Sequence, residues 1–325
     1  MTVITDLAAM RTAEVLPVGG VWILGRFDGV HRGHRSLLEE ALRIASLSES
    51  RIPVGVWTLS GAEPGPGSRL TTEDEKLRLF RRLGAAYCVS DAFASIRGLS
   101  GETFFHERIL GTLAPSAVVC GSNFTFGRGA SCGAKDLSRM AQEAGIPCSV
   151  LPLCLSEEDG TPVSSTEIRK LVQSGDMRGA ARLLGHPYFV SGPVLHGHAL
   201  GRTMGFPTLN LRLPPEKVAP PRGVYATLTH WKRCGSSRLS PGVSNLGFRP
   251  TVNGDADDVT LETNLFDSPG DLYGSDVTVW LIDFLRPEER FASVEELREA
   301  IVRDSREAER VLSSLRSLNE DDYCL

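Results

Sequence analysis

Short apolar runs recur through the first half of the chain at a nearly constant spacing. They begin about 30 residues apart, the length of one strand plus one crossover helix. The runs occupy residues 21–24, 52–57, 86–89, 117–120 and 148–153. Helical patterns fill the intervals, as where Leu37, Ala41 and Ala45 recur every four residues. This alternation predicts an α/β domain with a mostly parallel sheet covered by helices on both faces.

Polar residues mark where several of these helices begin. Thr72 and Glu75 have the spacing of a capping box, and Ser100 precedes an apolar helical pattern. Ser164 and Glu167 form a second such box, which predicts a helix over residues 165–173. A second short helix is expected to follow and to end at Leu184.

The pattern changes beyond residue 185, where strand-like runs separated by glycine and proline take over. They occupy residues 188–195, 208–213, 224–229, 242–246, 259–266 and 277–284. Six such runs in about 100 residues predict a small antiparallel β-barrel. One long helix, about residues 293–315, follows it, with its apolar side formed by Val294, Leu297, Ile301 and Val311. We therefore predict two domains, residues 1–185 and 186–325.

Composition excludes several classes of partner. The chain of 325 residues has 35 Lys and Arg against 40 Asp and Glu, a net charge of −5, and no block of basic residues. No nucleic-acid or membrane partner is therefore expected. Seven cysteines lack metal-ligand spacing, and charges near the N-terminus interrupt any signal-peptide pattern, so a reducing, cytoplasmic location is expected. The sequence predicts no particular oligomeric state, and a weak homo-oligomer is compatible with it.

The first apolar run leads directly into Gly25-Arg26-Phe27-Asp28-Gly29-Val30-His31-Arg32-Gly33-His34, just before a predicted helix. His31 and His34 lie three residues apart and so share one face of the helix start. A helix N-terminus presents backbone N–H groups and positive dipole, which suit a phosphate. Gly29 and Gly33 let the backbone approach a ligand closely. The alternative is a capped helix with two surface histidines.

Three later segments carry patterns of the same kind. They are Gly121-Ser122-Asn123-Phe124-Thr125-Phe126-Gly127, Val163-Ser164-Ser165-Thr166-Glu167-Ile168-Arg169 and Gly205-Phe206-Pro207-Thr208-Leu209-Asn210. With the segment at residues 25–34, they resemble motifs of the prokaryotic FAD synthetases, the bifunctional riboflavin kinase/FMN adenylyltransferases. The resemblance extends over essentially the whole chain, in the family's order. It implies a Rossmann-like nucleotidyltransferase domain followed by a six-stranded riboflavin kinase barrel with a C-terminal helix.

For the first domain, the resemblance implies attack of the FMN phosphate on the α-phosphorus of ATP, with release of pyrophosphate. His31, His34 and Arg169 would then hold the ATP phosphates and stabilise the charge that develops on them. The further nucleotide or flavin ligands implied are Gly25, Phe27, Asp28, Gly29, Gly33, Asn123, Phe124, Phe126, Ser164, Ser165 and Thr166. Ser164 and Ser165 are also explained as helix caps, and the two phenylalanines as core residues. Asp28 either binds a hydroxyl or caps the loop.

Two departures from the family's pattern fall in this domain. Arg26 occupies a position where the family usually has a small or amide residue. The turn after Trp57 lacks the histidine of the family's P-H-P-like sequence. Together they leave open a rival function, a riboflavin kinase whose first domain has lost adenylylation.

A second candidate site follows the change of pattern. A glycine-rich segment with Gly201, Arg202 and Gly205 is suited to covering phosphates, although a mobile loop has the same composition. Thr208 and Asn210 alternate along a strand, so their oxygens leave one face and suit Mg²⁺ that carries ATP. The alternative is a polar outer face of a barrel strand.

The resemblance also makes Glu262 the general base for the riboflavin 5′-hydroxyl, whereas its pattern alone indicates a solvated carboxylate. Pro207 and Asn245 would shape the flavin pocket, although turn chemistry also explains Asn245. The resulting prediction is an enzyme that converts riboflavin to FMN and FMN to FAD with ATP and Mg²⁺. Two rivals besides the kinase are a flavin-binding regulatory protein without turnover and a transferase for a different nucleotidyl substrate.

Overall fold

The structure, a computed structural model, describes residues 1–4, 19–49, 52–61, 65–195, 207–233, 236–249, 258–267, 272–315 and 323. The chain divides into two compact units, Met1–Ser165 and Thr166–Leu325. A search of the described residues finds no helix with the length and apolar character needed to span a bilayer.

The first unit contains a parallel sheet, as predicted. Its strands are β1 (Thr2–Ile4), β2 (Val21–Leu24), β3 (Val54–Ser60), β4 (Tyr87–Ala92), β5 (Ala117–Gly121), β6 (Thr125–Phe126), β7 (Cys132–Gly133) and β8 (Cys148–Leu151). The sheet has the order β1-β4-β3-β2-β5-β8, while β6 and β7 pair as a short antiparallel ribbon. The strand β1 was not predicted, because three residues at a sheet edge give no readable alternation.

The strand order reverses beside β2. From β2 the chain moves outward through β3 to β4, and it returns to the other side of β2 at β5. Parallel sheets of this kind bind their ligands outside the carboxyl ends of the strands, at such a reversal. The turn after β2 and the loop after β5 therefore leave the sheet side by side.

Helices connect the strands of this unit. They are α1 (Arg32–Ser46), α2 (Glu73–Arg82), α3 (Phe93–Ile96), α4 (Gly101–Phe104), a π-helix (Phe105–Leu113) and α5 (Ala134–Glu143). The caps predicted at Thr72 and Ser100 are confirmed. The Glu75 N–H donates to Thr72 Oγ1 at 3.2 Å while the Thr72 N–H donates to Glu75 Oε2 at 2.9 Å, and the Thr103 N–H donates to Ser100 Oγ at 3.0 Å. The core between sheet and helices includes Trp22, Trp57, Phe104, Ile109 and Leu137.

The second unit begins with two helices, α6 (Ser165–Ser174), whose first residue still belongs to the first unit, and α7 (Met177–Leu184). The helix α7 packs on the sheet that follows it, where Arg178 Nε donates to Asp283 Oδ2 at 2.8 Å. Packing thus places α7 with the second unit. The predicted domain boundary between residues 185 and 186 stays a prediction.

The sheet of the second unit is antiparallel, as predicted. Its strands are β9 (Tyr188–Pro193), β10 (Thr208–Arg212), β11 (Gly223–Arg233), β12 (Ser236–Arg249), β13 (Asp258–Leu265) and β14 (Asp276–Pro287). They follow the order β10-β13-β12-β11-β14-β9. The sheet curls into a half-barrel, and the Leu195 N–H donates to the Asn210 carbonyl at 2.8 Å beside its two edge strands.

The C-terminal helix α8 (Val294–Ser313) is present as predicted, but its predicted apolar side is partly wrong. Val294 is 59% exposed, and Leu297 and Ile301 are only partly covered. The residues buried against the sheet are Ala300, Ala308, Val311 and Leu312. Small alanines allow the helix to approach the sheet closely, and on the same side Asp304 forms a bidentate ion pair with Arg286.

Candidate active sites

The turn after β2 has an unusual backbone. Phe27, Gly29 and Val30 all have left-handed φ angles, 59°, 82° and 44°. Such angles are unfavourable for phenylalanine and valine and persist only where surrounding contacts enforce them. The buried Phe27 ring meets the rings of His34 and Phe80 edge-on, at centroid distances of 5.1 and 5.3 Å. A Cβ at Gly25 would lie 2.9 Å from the Phe27 ring, so glycine there leaves room for it.

Asp28 holds this turn against the segment that precedes α2. Its Oδ1 accepts hydrogen bonds from the backbone N–H groups of Leu70 at 2.8 Å and Thr71 at 3.3 Å. The Gly29 N–H in turn donates to Thr71 Oγ1 at 3.1 Å. Of the two roles that the sequence leaves open for Asp28, the structure shows the one that orders the loop.

The two motif histidines form a stacked pair. The ring centroids of His31 and His34 are 3.5 Å apart, with an interplanar angle of 20°. His31 is the N-cap residue of α1, but its side chain makes no capping hydrogen bond. Both Nδ1 atoms are buried and have no hydrogen-bond partner among the described residues. A Cβ at Gly33 would lie 3.3 Å from the His31 ring, so this glycine also permits the stack.

Burial keeps both imidazoles neutral near pH 7. Desolvation lowers the pKa of His31 from 6.5 to about 4. Desolvation also lowers the pKa of His34 well below 6.5, and repulsion from His31 when it is protonated and from the Lys76 ammonium adds to that effect. A neutral imidazole can donate one hydrogen bond, and His31 and His34 stand at the start of α1, where the first backbone N–H groups of the helix lie. The arrangement suits an anionic ligand such as a phosphate chain.

Lys76 was not predicted as a functional residue, but its positive charge acts on His34. Its side chain is buried on α2, where Nζ donates to Thr58 Oγ1 at 3.2 Å and pairs with Glu73 at 3.0 Å. A signal existed in the sequence, since Lys76 lies one helical turn before Phe80 and therefore on the apolar side of α2. A lysine in that position is unusual, because lysine is rarely fully buried.

The loop after β5 contains the predicted flavin residues. Asn123 is exposed, and Phe124 is half-buried and stacks on Phe126 with 5.8 Å between centroids. Phe126 is a core residue and contacts Phe104. For Phe126 the structure therefore shows the packing role that the sequence left open. Phe124 packs partly against the same core, whereas Asn123 is exposed. Leu24 pairs with Cys120 in the sheet, so this loop and the Gly25 turn start from neighbouring strands.

The third motif contacts the same turn at Ser165. Ser165 Oγ donates to the Asp28 carbonyl at 2.9 Å, and Ser165 is the first residue of α6. Ser164 directly precedes it. On α6, Thr166 is exposed and Arg169 is half-buried.

The second candidate site lies on the curled sheet. Glu262 on β13 is directly opposite Asn210 on β10 and Asn245 on β12. Directly opposite residues of antiparallel strands point to the same face, with Cβ atoms about 5 Å apart. The neighbouring residues Ser244 and Thr263 point to the other face, where their hydroxyls are 2.7 Å apart. The three polar side chains therefore form one row across three strands.

Thr208 lies two residues before Asn210 on β10 and so points to the same face as the row. It is directly opposite Asn264 on β13. Asn264 Nδ2 donates to the Pro207 carbonyl at 2.9 Å. Asn210 is 3% exposed, and its Oδ1 has no hydrogen-bond partner among the described residues. Gly201, Arg202 and Gly205 lie outside the described residues.

Comparison with known proteins identifies both halves of the chain. A family model for FAD synthetase matches residues 16–167, and one for riboflavin kinase matches residues 184–312. A crystal structure described as a macrolide-efflux protein from Streptococcus pneumoniae has a TM-score of 0.79 and 28% sequence identity. That similarity covers 97% of this chain and 99% of the other.

Relatives with an assigned activity extend over most of the chain. The bifunctional riboflavin kinase/FMN adenylyltransferase of Escherichia coli (strain K12) is 37% identical over 88% of this chain and 90% of its own length. The protein of the same name from Bacillus subtilis (strain 168) is 34% identical over 91% and 93%. The chain therefore belongs to the family of bifunctional riboflavin kinase/FMN adenylyltransferases.

Proposed function

We propose that this chain makes FAD from riboflavin in two ATP-dependent steps, one in each unit. Phosphorylation of riboflavin to FMN takes place on the curled sheet, and adenylylation of FMN to FAD takes place at the turn after β2. The observation that carries the proposal is that each unit has its own set of converging polar groups. One is the stacked His31–His34 pair, and the other is the Asn210–Glu262–Asn245 row.

In the adenylyl transfer, an FMN phosphate oxygen attacks the α-phosphorus of ATP and pyrophosphate leaves. This step needs no covalent protein intermediate, so the protein contributes positioning and charge stabilisation. The neutral His31 and His34 would donate hydrogen bonds to the ATP phosphates, together with the first N–H groups of α1. Arg169 would bind the departing pyrophosphate, as an arginine fork suits phosphate oxygens. Ser164, Ser165 and Thr166 stand at the start of the same helix.

The flavin in this step would lie against the loop after β5. The exposed amide of Asn123 is suited to a polar edge of the nucleotide or flavin, and the half-buried ring of Phe124 offers an apolar surface. The loop that carries Asn123 and Phe124 leaves the sheet beside the turn with the two histidines, where the strand order reverses.

In the kinase step, Glu262 would accept the proton of the riboflavin 5′-hydroxyl as that oxygen attacks the γ-phosphorus. A carboxylate in a row with two amides is well placed for this, because Asn245 on the adjacent strand would orient the same substrate. Pro207 would also contact the flavin, and the role of Gly201, Arg202 and Gly205 in covering the ATP phosphates stays a prediction from the sequence.

The residues around Asn210 fit the Mg²⁺ that a kinase of this kind implies. Asn210 Oδ1 is buried and has no hydrogen-bond partner among the described residues, which leaves an acceptor for a cation. Thr208 adds a hydroxyl from the same face of β10, and hard oxygen ligands are those that Mg²⁺ prefers. When bound there, Mg²⁺ would neutralise charge on the ATP phosphates.

Small molecules are thus the expected partners of both sites. We place the chain in the cytoplasm, because the cysteines among the described residues, Cys88, Cys120, Cys132, Cys148 and Cys154, are all free thiols.

The proposal is tested by incubating the purified chain with riboflavin, ATP and Mg²⁺ and separating the flavins by chromatography. FMN should form first and FAD later. FMN without FAD would show that the first unit has lost adenylylation, the rival function raised by Arg26 and the altered turn after Trp57. If neither product forms, the proposed function is wrong.

A further inference from the structure

We propose that Lys76 is a positioning residue for adenylyl transfer, whose buried ammonium holds the turn on which His31 and His34 stack. This inference rests on the proposed role of those two histidines. Neither a motif nor a pattern in the sequence assigns Lys76 any function, and the side chain does not itself belong to the histidine pair.

A chain of hydrogen bonds links Lys76 to the backbone of the turn. Lys76 Nζ donates to Thr58 Oγ1 at 3.2 Å, and Thr58 Oγ1 donates to the Arg26 carbonyl at 2.9 Å. Both side chains are buried, Lys76 at 3% exposure and Thr58 at 0%. The Arg26 carbonyl immediately precedes Phe27, the first left-handed residue of the turn. The ammonium thus controls where the strained segment begins.

The helix α2 also supports the aromatic rings of the segment after β2, through Phe80, which lies four residues after Lys76. Phe80 contacts Phe27 edge-on, and Phe27 contacts His34 in the same way. Lys76 and Phe80 therefore act on consecutive parts of one structure, the backbone before Phe27 and the ring of Phe27. A shift of α2 would move both, and with them the imidazole of His34.

A purely structural explanation accounts poorly for a lysine here. Burying an ammonium has a desolvation cost, and a hydrophobic residue in place of a buried ion pair is often neutral or stabilising. Its partner Glu73 is one-third exposed and also pairs with Arg69 at 2.9 Å. The buried ammonium of Lys76 is thus better explained by the backbone at Arg26 that it positions through Thr58.

The ammonium also acts on His34 electrostatically. The charged or titratable groups that lower the pKa of His34 are His31, from the N-cap of α1, and Lys76, from α2. Glu73 faces the ammonium of Lys76 from the same helix. Removing the positive charge of Lys76 would therefore raise the pKa of His34, and the imidazole would protonate at a higher pH.

The test compares Lys76→Met with Lys76→Arg, and uses Lys135→Met on the exposed side of α5 as the matched control. For FMN to FAD, Lys76→Met should lower kcat about 10- to 100-fold, the loss expected from misplaced groups. The acid limb of its pH profile should move to higher pH. Lys76→Arg should recover most of the rate, and Lys135→Met should match the parent. Riboflavin phosphorylation by the same molecules should stay unchanged.

A second variant keeps the inference testable if Lys76→Met does not fold. Thr58→Val removes the hydroxyl between Lys76 and Arg26 but keeps the shape of the side chain and the ammonium. It should lower kcat for FAD formation and leave the acid limb near its parent position. The inference is overturned if Lys76→Met, or Thr58→Val when the former is unfolded, forms FAD at the parent rate. A parent that forms no FAD would instead contradict the proposed function itself.

Discussion

Two imidazoles that stack 3.5 Å apart cannot both carry a charge without strong repulsion. Desolvation resolves this by keeping both rings neutral, and the first turn of α1 supplies the positive dipole. In the free protein the site therefore attracts an anion through neutral donors. A bound triphosphate would add negative charge beside the rings and so raise their pKa values.

The lowered pKa of His31 predicts a loss of stability in mild acid. The folded value of about 4 lies below the unfolded value of 6.5, so the unfolded chain binds the proton more readily. The contribution of the neutral, buried His31 to the free energy of unfolding is therefore complete above pH 6.5 and is lost as the pH falls toward 4. Between pH 7 and pH 5, His31 alone should lower the free energy of unfolding by about 2 kcal/mol.

Hydrogen exchange of the β2 amides measures this loss within the first unit alone. Between pH 7 and pH 5, the free energy of unfolding of His31→Asn should fall by about 2 kcal/mol less than that of the parent. His106→Ala, which removes an exposed histidine of the π-helix, should behave like the parent. An equal loss in the parent and in His31→Asn would show that His31 does not titrate as described.

The proposed base of the kinase step gives a prediction confined to the second unit. Glu262→Gln keeps the shape of the side chain but removes its basicity, and general-base assistance typically contributes ~10²–10⁴-fold. FMN formation should fall by that factor, and FAD formation from added FMN should not change. Asp267→Asn, just beyond β13, is the matched control and should retain the parent rate. A Glu262→Gln rate within a factor of about three of the parent would exclude Glu262 as the base.

At this scale the sequence identifies motif residues but not what holds them. His31, His34, Asn210 and Glu262 could be selected because their spacing or family resemblance points to chemistry. The partners of Asp28 could not be predicted, since Leu70 lies 42 positions away and meets it only after folding. The spacing of Lys76 from Phe80 indicates its burial, but its partner Thr58 could not be predicted, because that contact depends on how α2 packs on β3.

Elements were predicted well where they are long and strongly periodic. Every apolar run of the first half became a strand, and both caps of that half formed where polar spacing placed them. The apolar side of α8 was less accurate, because large hydrophobic residues mark a buried side only if they, rather than alanines, face the sheet. The orientation of that helix is set by close packing at Ala300 and Ala308 and by the Arg286–Asp304 pair.

This orientation predicts opposite responses to two substitutions in α8. Ala308→Leu inserts three carbons where the helix is buried and should lower the free energy of unfolding by about 1–3 kcal/mol. Val294→Ala, at a 59% exposed position, should change it by less than about 0.5 kcal/mol. Hydrogen exchange of the β11 amides reports both values. A larger loss for Val294→Ala would mean that the predicted apolar side, and not the observed one, packs on the sheet.

On the scale of the whole molecule, the chain combines two units with different sheets and separate candidate sites. The family resemblance anticipated this arrangement from motif order. Which unit α7 belongs to could not be decided from the pattern, because an amphipathic helix between two domains can pack on either. Its residues Met177, Ala180, Leu183 and Leu184 are buried, and the helix contacts β9 and β14 of the second unit's sheet.

A comparison of two fragments tests this assignment. Residues 166–325 should show a cooperative thermal transition and phosphorylate riboflavin. Residues 186–325 lack the three large buried side chains of α7, a loss of roughly 5 kcal/mol that approaches the whole stability of a small domain. This shorter fragment should therefore show no cooperative transition. If both fragments melt at the same temperature, α7 is not part of the second folding unit, and the predicted boundary at residue 185 is the better one.

The central claim is that the histidine turn transfers the adenylyl group and the curled sheet transfers the γ-phosphate. The most direct measurement follows the label from ATP labelled at the α- or the γ-phosphorus into the flavins, starting from riboflavin. With the parent, the γ label should appear in FMN and the α label only in FAD. With His31→Ala combined with His34→Ala, the γ label should enter FMN at the parent rate while no α label enters any flavin. FAD that carries the α label at the parent rate in this double variant would contradict the account.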